Sequence, residues 1–111
     1  MIGKTIDEMK PGDFAEYGKT ISESDVYLYA GITGDFNPAH VNEHHAQQTV
    51  FKTRIAHGML TAGLISAVIG MRLPGPGTVY VHQTLNFQSP VRIGDTITAT
   101  VELVEKLPKK K

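Results

Sequence analysis

Residues 57–72, HGMLTAGLISAVIGMR, decide the fold of this chain. Their pattern predicts a helix over residues 59–72, with apolar side chains on every side. A helix that is apolar all round is buried inside a protein or a membrane. The apolar run 59–71 is shorter than the roughly 20 residues that span a bilayer. We therefore expect a curved antiparallel sheet to surround this helix.

Three strands are predicted around the helix, over residues 13–21, 78–87 and 96–104. The last shows the cleanest alternation, because Ile97, Ala99, Val101 and Leu103 are separated by polar residues. Such alternation is typical of an antiparallel strand with one buried face and one solvated face.

Two further helices are expected between the first strand and the apolar helix. Ser22 and Asp25 form a capping box that predicts a helix over 23–33, and Gly34 is its natural stop. Asn42 is expected to cap a short helix over 43–48. Residues 35–41 contain Asn-Pro and are read as a loop.

The composition narrows the class of protein. The 111 residues form a single predicted domain, 1–111. The formal net charge is zero, which disfavours a nucleic-acid partner. The chain has no cysteine, so disulfides and thiolate metal sites are excluded. With no secretory leader and no membrane span predicted, a cytoplasmic protein is expected.

The stretch 33–40, TGDFNPAH, holds a carboxylate and an imidazole on one constrained loop. Asp35 and His40 so placed can share one water molecule and act in general acid–base catalysis. The alternative is structural: Asp35 caps the following turn and His40 is a surface residue.

The second candidate feature is His57-Gly58, at the start of the apolar helix. Backbone N–H groups at a helix N-terminus can stabilise an enolate-like oxygen. The alternative is that Gly58 only permits close packing. No metal site is expected: His40 and His44 have ligand spacing, but Pro38 and Asn42 argue against one helix carrying both.

Taken together, these stretches resemble the MaoC-like (R)-specific enoyl-CoA hydratases, the hydratase-2 group of the hot-dog superfamily. The most specific part is 29–40, YAGITGDFNPAH, followed by Ala46. The stretches 54–60, RIAHGML, 73–77, LPGPG, and 87–95, FQSPVRIGD, resemble the same family. The resemblance covers residues 6–104.

The resemblance implies a role for each matching residue. Asp35 and His40 would be the catalytic pair that activates water, and the Gly58 amide would polarise the thioester carbonyl. Asn37 would order the catalytic loop, and Ser66 would support the site by hydrogen bonding. The acyl tail is expected along the apolar helix, near Ile69.

The resemblance also implies the reaction, the hydration of trans-2-enoyl-CoA to (R)-3-hydroxyacyl-CoA or its reverse. No cofactor beyond the CoA ester is expected, and the expected assembly is a homodimer or higher homo-oligomer, with no membrane partner. Two alternatives stay open. One is a 3-hydroxyacyl-thioester dehydratase acting on acyl carrier protein, and the other is a truncated, non-catalytic module that binds acyl-CoA.

The expected fold class is α+β, a hot dog with an antiparallel sheet wrapped around a buried central helix. The family's sheet has five strands, one before the helices and four after. The sequence supplies one strand before and two after, so the domain is expected to be C-terminally short and to lack the last two strands.

Overall fold

A computed structural model describes residues 3–107, so both ends of the predicted domain 1–111 lie outside the described residues. A short 3₁₀ turn, Ile6–Glu8, comes first. The other elements, in chain order, are β1 (Phe14–Thr20), α1 (Glu23–Thr33), α2 (Pro38–Val41), α3 (Glu43–Ala46), α4 (Gly58–Met71) and β2 (Thr96–Glu102).

The chain forms two compact units. The α1 unit consists of Lys19–Ala62 and Leu85–Ile97, and the described part of the other unit consists of residues 3–18, 63–84 and 98–107. The buried apolar residues of the α1 unit are Ile21, Val26, Ala30, Ala46 and Ala56. Those of the other unit are Leu64, Val68, Leu73 and Ala99.

β1 and β2 pair with each other in a two-stranded antiparallel sheet. Just beyond the strands, the Ile21 N–H donates to the Asp95 carbonyl over 2.9 Å, and the Gly94 N–H donates back to Ile21 over 2.7 Å. Along β2, exposed and less exposed residues alternate, and Ala99 is buried. The strands predicted over 13–21 and 96–104 are confirmed.

α1 has the predicted bounds and the predicted caps. The Asp25 N–H donates to the Ser22 hydroxyl over 3.1 Å, and the Ser22 N–H donates to the Asp25 carboxylate over 2.9 Å. At the other end, Gly34 has a φ of 85° and its N–H donates to the Ala30 carbonyl. A side chain at this left-handed position would be strained, so the chain turns here at glycine.

The loop predicted over 35–41 is wrong in its second half, which forms the short helix α2. Asn37 caps this helix, because its side-chain oxygen accepts a hydrogen bond from the Ala39 N–H over 2.9 Å. Pro38 occupies the first turn, where a missing N–H costs nothing. The short helix predicted over 43–48 is confirmed as α3, with Asn42 accepting from the His45 N–H over 3.0 Å.

The strand predicted over 78–87 is wrong. No strand pairs with this segment among the described residues, and Val79, Val81 and Phe87 are exposed. Alternation indicates a strand only where a neighbouring strand supplies hydrogen bonds, and the sequence pattern carries no information on that partner. In residues 3–107, the sheet therefore has one strand after α4 rather than the two predicted.

α4 confirms the predicted helix, one residue earlier than expected at each end. Leu64 and Val68 are its buried residues, whereas Met59 and Met71 are exposed. No helix of residues 3–107 has both the length and the apolar character that crossing a membrane requires.

The cap of α1 makes a stability prediction. Replacing Ser22 by alanine removes the acceptor for the Asp25 N–H, so we expect a loss of about 1 kcal/mol of unfolding free energy. Urea denaturation measures the loss. The matched control is Ser24→Ala, since Ser24 is exposed in the same turn. Equal effects of the two substitutions would contradict the capping role.

Candidate active site

The turn between α1 and α2 presents the carboxyl group of Asp35. Its side-chain oxygen accepts a hydrogen bond from the Asn37 N–H over 3.2 Å, and its own N–H donates to the Thr33 hydroxyl over 3.2 Å. Asn37 in turn caps α2. Local hydrogen bonds on both sides of Asp35 therefore fix the backbone of this turn.

His40 lies near the end of α2 and contacts the segment that leads into α4. Its Nδ1 lies 2.7 Å from the carbonyl oxygen of Ile55. A carbonyl oxygen only accepts, so this contact assigns the ring proton to Nδ1. In the neutral form of the ring, Nε2 is then the nitrogen that carries a free lone pair and can accept a proton from a reacting group.

His57 directly precedes α4 and is 2% exposed. Its Nε2 lies 2.9 Å from the carbonyl oxygen of Asp35 and must donate to it. The His57 ring contacts the His40 ring, with centroids 3.9 Å apart and planes inclined by 31°. It also contacts the Tyr29 ring, with centroids 4.7 Å apart.

These contacts bring three chemical groups together. Asp35, His40 and His57 each offer one polar atom, and the three atoms lie within 4.8 Å of one another. Two groups at that separation can hydrogen-bond one water molecule between them, since each bond spans about 2.8 Å. The same residue types also bind transition metals, so the geometry alone leaves the predicted lack of a metal untested.

A pocket of about 490 Å³ opens beside His40 in the α1 unit. Its walls come from the segment before α4, the first turn of α4 and residues 87–91. The lining residues are His40, Phe51, Ile55, Ala56, Gly58, Met59, Thr61, Phe87, Gln88, Ser89, Pro90 and Val91. The walls are joined by the Ala56 N–H, which donates to the Val91 carbonyl over 2.7 Å.

Gly58 is the first residue of α4 and lines this pocket. The Leu60 and Thr61 N–H groups donate to the His57 carbonyl. The Gly58 and Met59 N–H groups have no acceptor among residues 3–107, as expected for the first turn of a helix. The positive end of the helix dipole therefore faces the pocket at Gly58.

The structure also supports the alternative interpretation of Gly58, that glycine permits close packing at the start of α4. A Cβ atom added there would lie 3.0 Å from Cδ1 and Cε1 of Phe87. Glycine therefore lets the Phe87 ring approach the start of α4. Phe87 is a further residue of the site, and the local sequence does not reveal it, because its alternation with neighbouring residues predicts a strand rather than a pocket wall.

Arg54 holds the segment before α4 against two helices. Its guanidinium donates to Glu23 of α1 over 2.7 Å, to the Tyr27 hydroxyl over 2.8 Å and to Glu43 of α3 over 3.2 Å. The Thr53 hydroxyl also donates to Glu43, over 2.8 Å. These bonds fix residues 53–54, immediately before the backbone that contacts His40.

The same bonds shift three pKa values. The hydrogen bond from Arg54 lowers the pKa of Glu23, and the hydrogen bond from Thr53 lowers the pKa of Glu43. The pKa of Arg54 is raised, chiefly by its hydrogen bond to Glu23. All three groups are therefore charged near neutral pH.

The remaining predicted residues are placed as follows. Asp35, Asn37, His40 and Gly58 lie in the α1 unit, and of these His40 and Gly58 line the pocket. Ser66 and Ile69 lie further along α4 and are not among the lining residues, so their roles stay predictions. His44 and His45 are exposed on α3, while His40 is on α2, so no single helix carries His40 and His44.

Comparison with known sequences places the chain among MaoC-like proteins. The sequence profile of the MaoC-like domain family matches residues 8–111. The chain is 65% identical to the (R)-specific enoyl-CoA hydratase of Rhodospirillum rubrum, over 95% of this chain and 73% of that protein. It is 61% identical to the 3-hydroxybutyryl-CoA dehydratase of Methylorubrum extorquens, over 84% of this chain and 59% of that protein.

Comparison with solved structures gives the same family of enzymes. The R-hydratase PhaJ1 of Pseudomonas aeruginosa, in its unliganded form, superposes with a TM-score of 0.91 at 48% identity. The match covers 96% of this chain and 69% of that chain. The expected α+β hot-dog fold class is confirmed by this neighbour.

The Arg54 contacts predict how stability depends on pH. Carboxyl groups whose pKa is lowered in the folded state stabilise that state at pH values above their ordinary pKa of 4.5. This contribution is lost as the pH falls through the lowered pKa. We expect Arg54→Gln to lower the melting temperature at neutral pH. The difference from the wild type should narrow in acid, where Glu23 and Glu43 become protonated. A difference that stays constant through the acid range would contradict this account.

Gly58 makes a second prediction. Gly58→Ala requires the Phe87 ring to give way by a few tenths of an ångström, and because that ring is exposed we expect a cost of no more than about 1 kcal/mol of unfolding free energy. Adding Phe87→Ala should recover part of that loss, since the two sites are in contact. The matched control is Gly63→Ala on the same helix, where a Cβ meets nothing within 4 Å. That control should gain about 0.5–1 kcal/mol. Additive effects at positions 58 and 87 would contradict the contact.

Proposed function

Because this chain belongs to the family of MaoC-like domains, we propose that it is an (R)-specific enoyl-CoA hydratase. It adds water to a trans-2-enoyl-CoA to give the (R)-3-hydroxyacyl-CoA, and catalyses the reverse dehydration. The observation that carries this proposal is the grouping of Asp35 and His40 beside a pocket that begins at the N-terminus of α4.

The Gly58 end of α4 would bind the thioester oxygen. Negative charge develops on this oxygen when water adds to C3, because the C2–C3 double bond becomes an enolate. The Gly58 N–H and the helix dipole stabilise that charge. Interactions that strengthen as the charge develops lower the barrier to the reaction.

His40 would act as the base. Its Nδ1–H is held by the Ile55 carbonyl, so the unprotonated Nε2 accepts a proton from water. The water oxygen bonds to C3, and the proton held by His40 is then available for C2 on the same face. The Asp35 carboxylate accepts the second hydrogen bond of the water and orients its lone pair towards C3.

The pocket would take the acyl part of the substrate. Phe51, Ile55, Met59, Phe87 and Val91 give it a mostly apolar wall, which suits a hydrocarbon chain better than a charged group. The expectation that Ile69 contacts the acyl tail is kept as a separate prediction.

Several properties belong to the proposal as expectations. The reaction needs no cofactor besides the CoA thioester, since water, an acid–base pair and a polarised carbonyl suffice. A homodimer or higher homo-oligomer is expected, in keeping with the exposed apolar side chains of Met59, Met71, Val79 and Val81. The cytoplasmic location is a prediction from the sequence.

The alternative substrate is a thioester of acyl carrier protein, which shares the chemistry of the reacting carbons. A relative named 3-hydroxyacyl-[acyl-carrier-protein] dehydratase is 36% identical, compared with 65% for the CoA hydratase. The higher identity favours the CoA ester.

The test is hydration of crotonyl-CoA, with chiral analysis of the product. The wild type should form the (R) product. Asp35→Asn and His40→Gln should each lower kcat by about 10²–10⁴-fold, the usual contribution of a general acid–base group. The matched control is Asp7→Asn, which makes the same chemical change at another exposed carboxylate and should keep wild-type activity.

Two results would overturn the proposal. One is a folded wild-type protein that turns over neither crotonyl-CoA nor longer enoyl-CoA esters. The other is turnover that survives both substitutions at the Asp35–His40 pair. Turnover only with an acyl carrier protein thioester would show that the substrate is the carrier-protein ester rather than the CoA ester.

A further inference from the structure

His57 is a buried titratable residue that takes no part in the proposed chemistry. We propose that His57 is a positioning residue, which sets the placement of the Asp35 carboxylate and the orientation of the His40 ring. The inference rests on the proposed function, since it assigns a role within that active site.

His57 donates a hydrogen bond to the turn that carries Asp35. Its Nε2–H donates to the backbone carbonyl of Asp35 over 2.9 Å, across a gap of 22 residues in the sequence. The other hydrogen bonds of Asp35 are to Thr33 and Asn37, two residues away on either side. This bond therefore joins the turn directly to the residue that precedes α4, where the thioester would bind.

The other ring nitrogen of His57, Nδ1, has no hydrogen-bond partner among the described residues. Because Nε2 carries the proton, Nδ1 is an acceptor, and it is buried with no hydrogen-bond partner among the described residues. Leaving a buried polar atom unpaired costs about 1–3 kcal/mol. A phenylalanine would fill similar space without that cost. Filling space therefore does not explain a polar ring at this position, whereas the hydrogen bond that Nε2–H donates to the Asp35 carbonyl does.

The His57 ring also contacts two other aromatic rings. The His57 ring contacts both the Tyr29 ring and the His40 ring, with centroid distances of 4.7 Å and 3.9 Å and planes inclined by 54° and 31°. His40 is thus held at Nδ1 by the Ile55 carbonyl and on its ring face by His57. Both contacts limit rotation of the ring and direct Nε2. A misplacement of about 1 Å in an active site can cost about 10²-fold in rate.

The experiment separates the hydrogen bond from the ring. His57→Phe keeps an aromatic ring and removes the donor, whereas His57→Gln keeps a donor near the Nε2 position and removes the ring. We expect His57→Phe to lower kcat for crotonyl-CoA at least about tenfold, with KM within about twofold of the wild type. His57→Gln should retain more of kcat than His57→Phe.

Nuclear magnetic resonance of ¹⁵N-labelled histidine gives a readout that does not depend on turnover. In the wild type, the His40 ring should show the Nδ1–H tautomer with a slowly exchanging proton. In His57→Phe, the Nδ1 proton of His40 should exchange faster with solvent and the Asn37 amide should shift, and this exchange rate, unlike a chemical shift, does not change merely because a neighbouring ring has been replaced. The exposed His82 is the internal control and should not move.

The outcomes are distinct from those that test the function. Wild-type kcat in both variants would overturn the positioning role, as would an unchanged exchange rate of the His40 Nδ1 proton in His57→Phe. Losses in His57→Gln that equal those in His57→Phe would overturn the role of the hydrogen bond, because the variant that keeps a donor would then be no better than the variant that lacks one. If His57→Phe does not fold, His57→Gln decides: wild-type kcat would overturn the role of the His57 ring in orienting His40, and a kcat lowered at least about tenfold, with KM within about twofold of the wild type, would support it. An inactive wild type whose His40 Nδ1 proton still exchanges faster in His57→Phe would refute the hydratase function and leave the positioning contact supported.

Discussion

The hydrogen bond from His40 Nδ1–H to the Ile55 carbonyl is the contact on which the site depends. It fixes the tautomer of His40 and leaves Nε2 as the proton acceptor. It also joins α2, which directly follows the turn that carries Asp35, to the segment that leads into α4. Nearby, the Ile55 N–H donates to the Ala39 carbonyl over 3.1 Å, so the two segments are bonded in both directions.

The segment before α4 must itself be held in place for this contact to orient His40. Arg54 supplies that support on one side, by binding Glu23 and Glu43. On the other side, the Ala56 N–H donates to the Val91 carbonyl. Residues 54–57 are thus fixed by an ionic cluster, a backbone pair and the buried His57 ring. A rigid support of this kind is what keeps an acid–base pair in a productive geometry.

Much of the fold and of the site could be predicted from the sequence, wherever the signal was local. The Ser22 capping box, the Gly34 stop and the apolar pattern of α4 each depend on neighbouring residues, and each was confirmed. The TGDFNPAH stretch could be recognised because its turn is stabilised by its own side chains. The exception was α2, where the Asn-Pro pair begins a short helix rather than continuing a loop.

The features that the sequence did not reveal depend on distant contacts. Residues 78–87 alternate like a strand, but a strand also needs a partner that the pattern does not specify. His57 could be seen as part of a motif, yet its bond to Asp35 spans 22 residues and has no local signature. The contact of Phe87 with Gly58 is hidden for the same reason.

In the proposed reaction, the Asp35–His40 pair delivers both parts of a water molecule to one face of the substrate. Hydration of crotonyl-CoA in D₂O tests it most directly, with the configuration at C2 and C3 determined by NMR. We expect the product to be a single diastereomer, in which the deuterium at C2 and the hydroxyl at C3 have been added to the same face. Addition to opposite faces, or a mixture of configurations at C2, would contradict it.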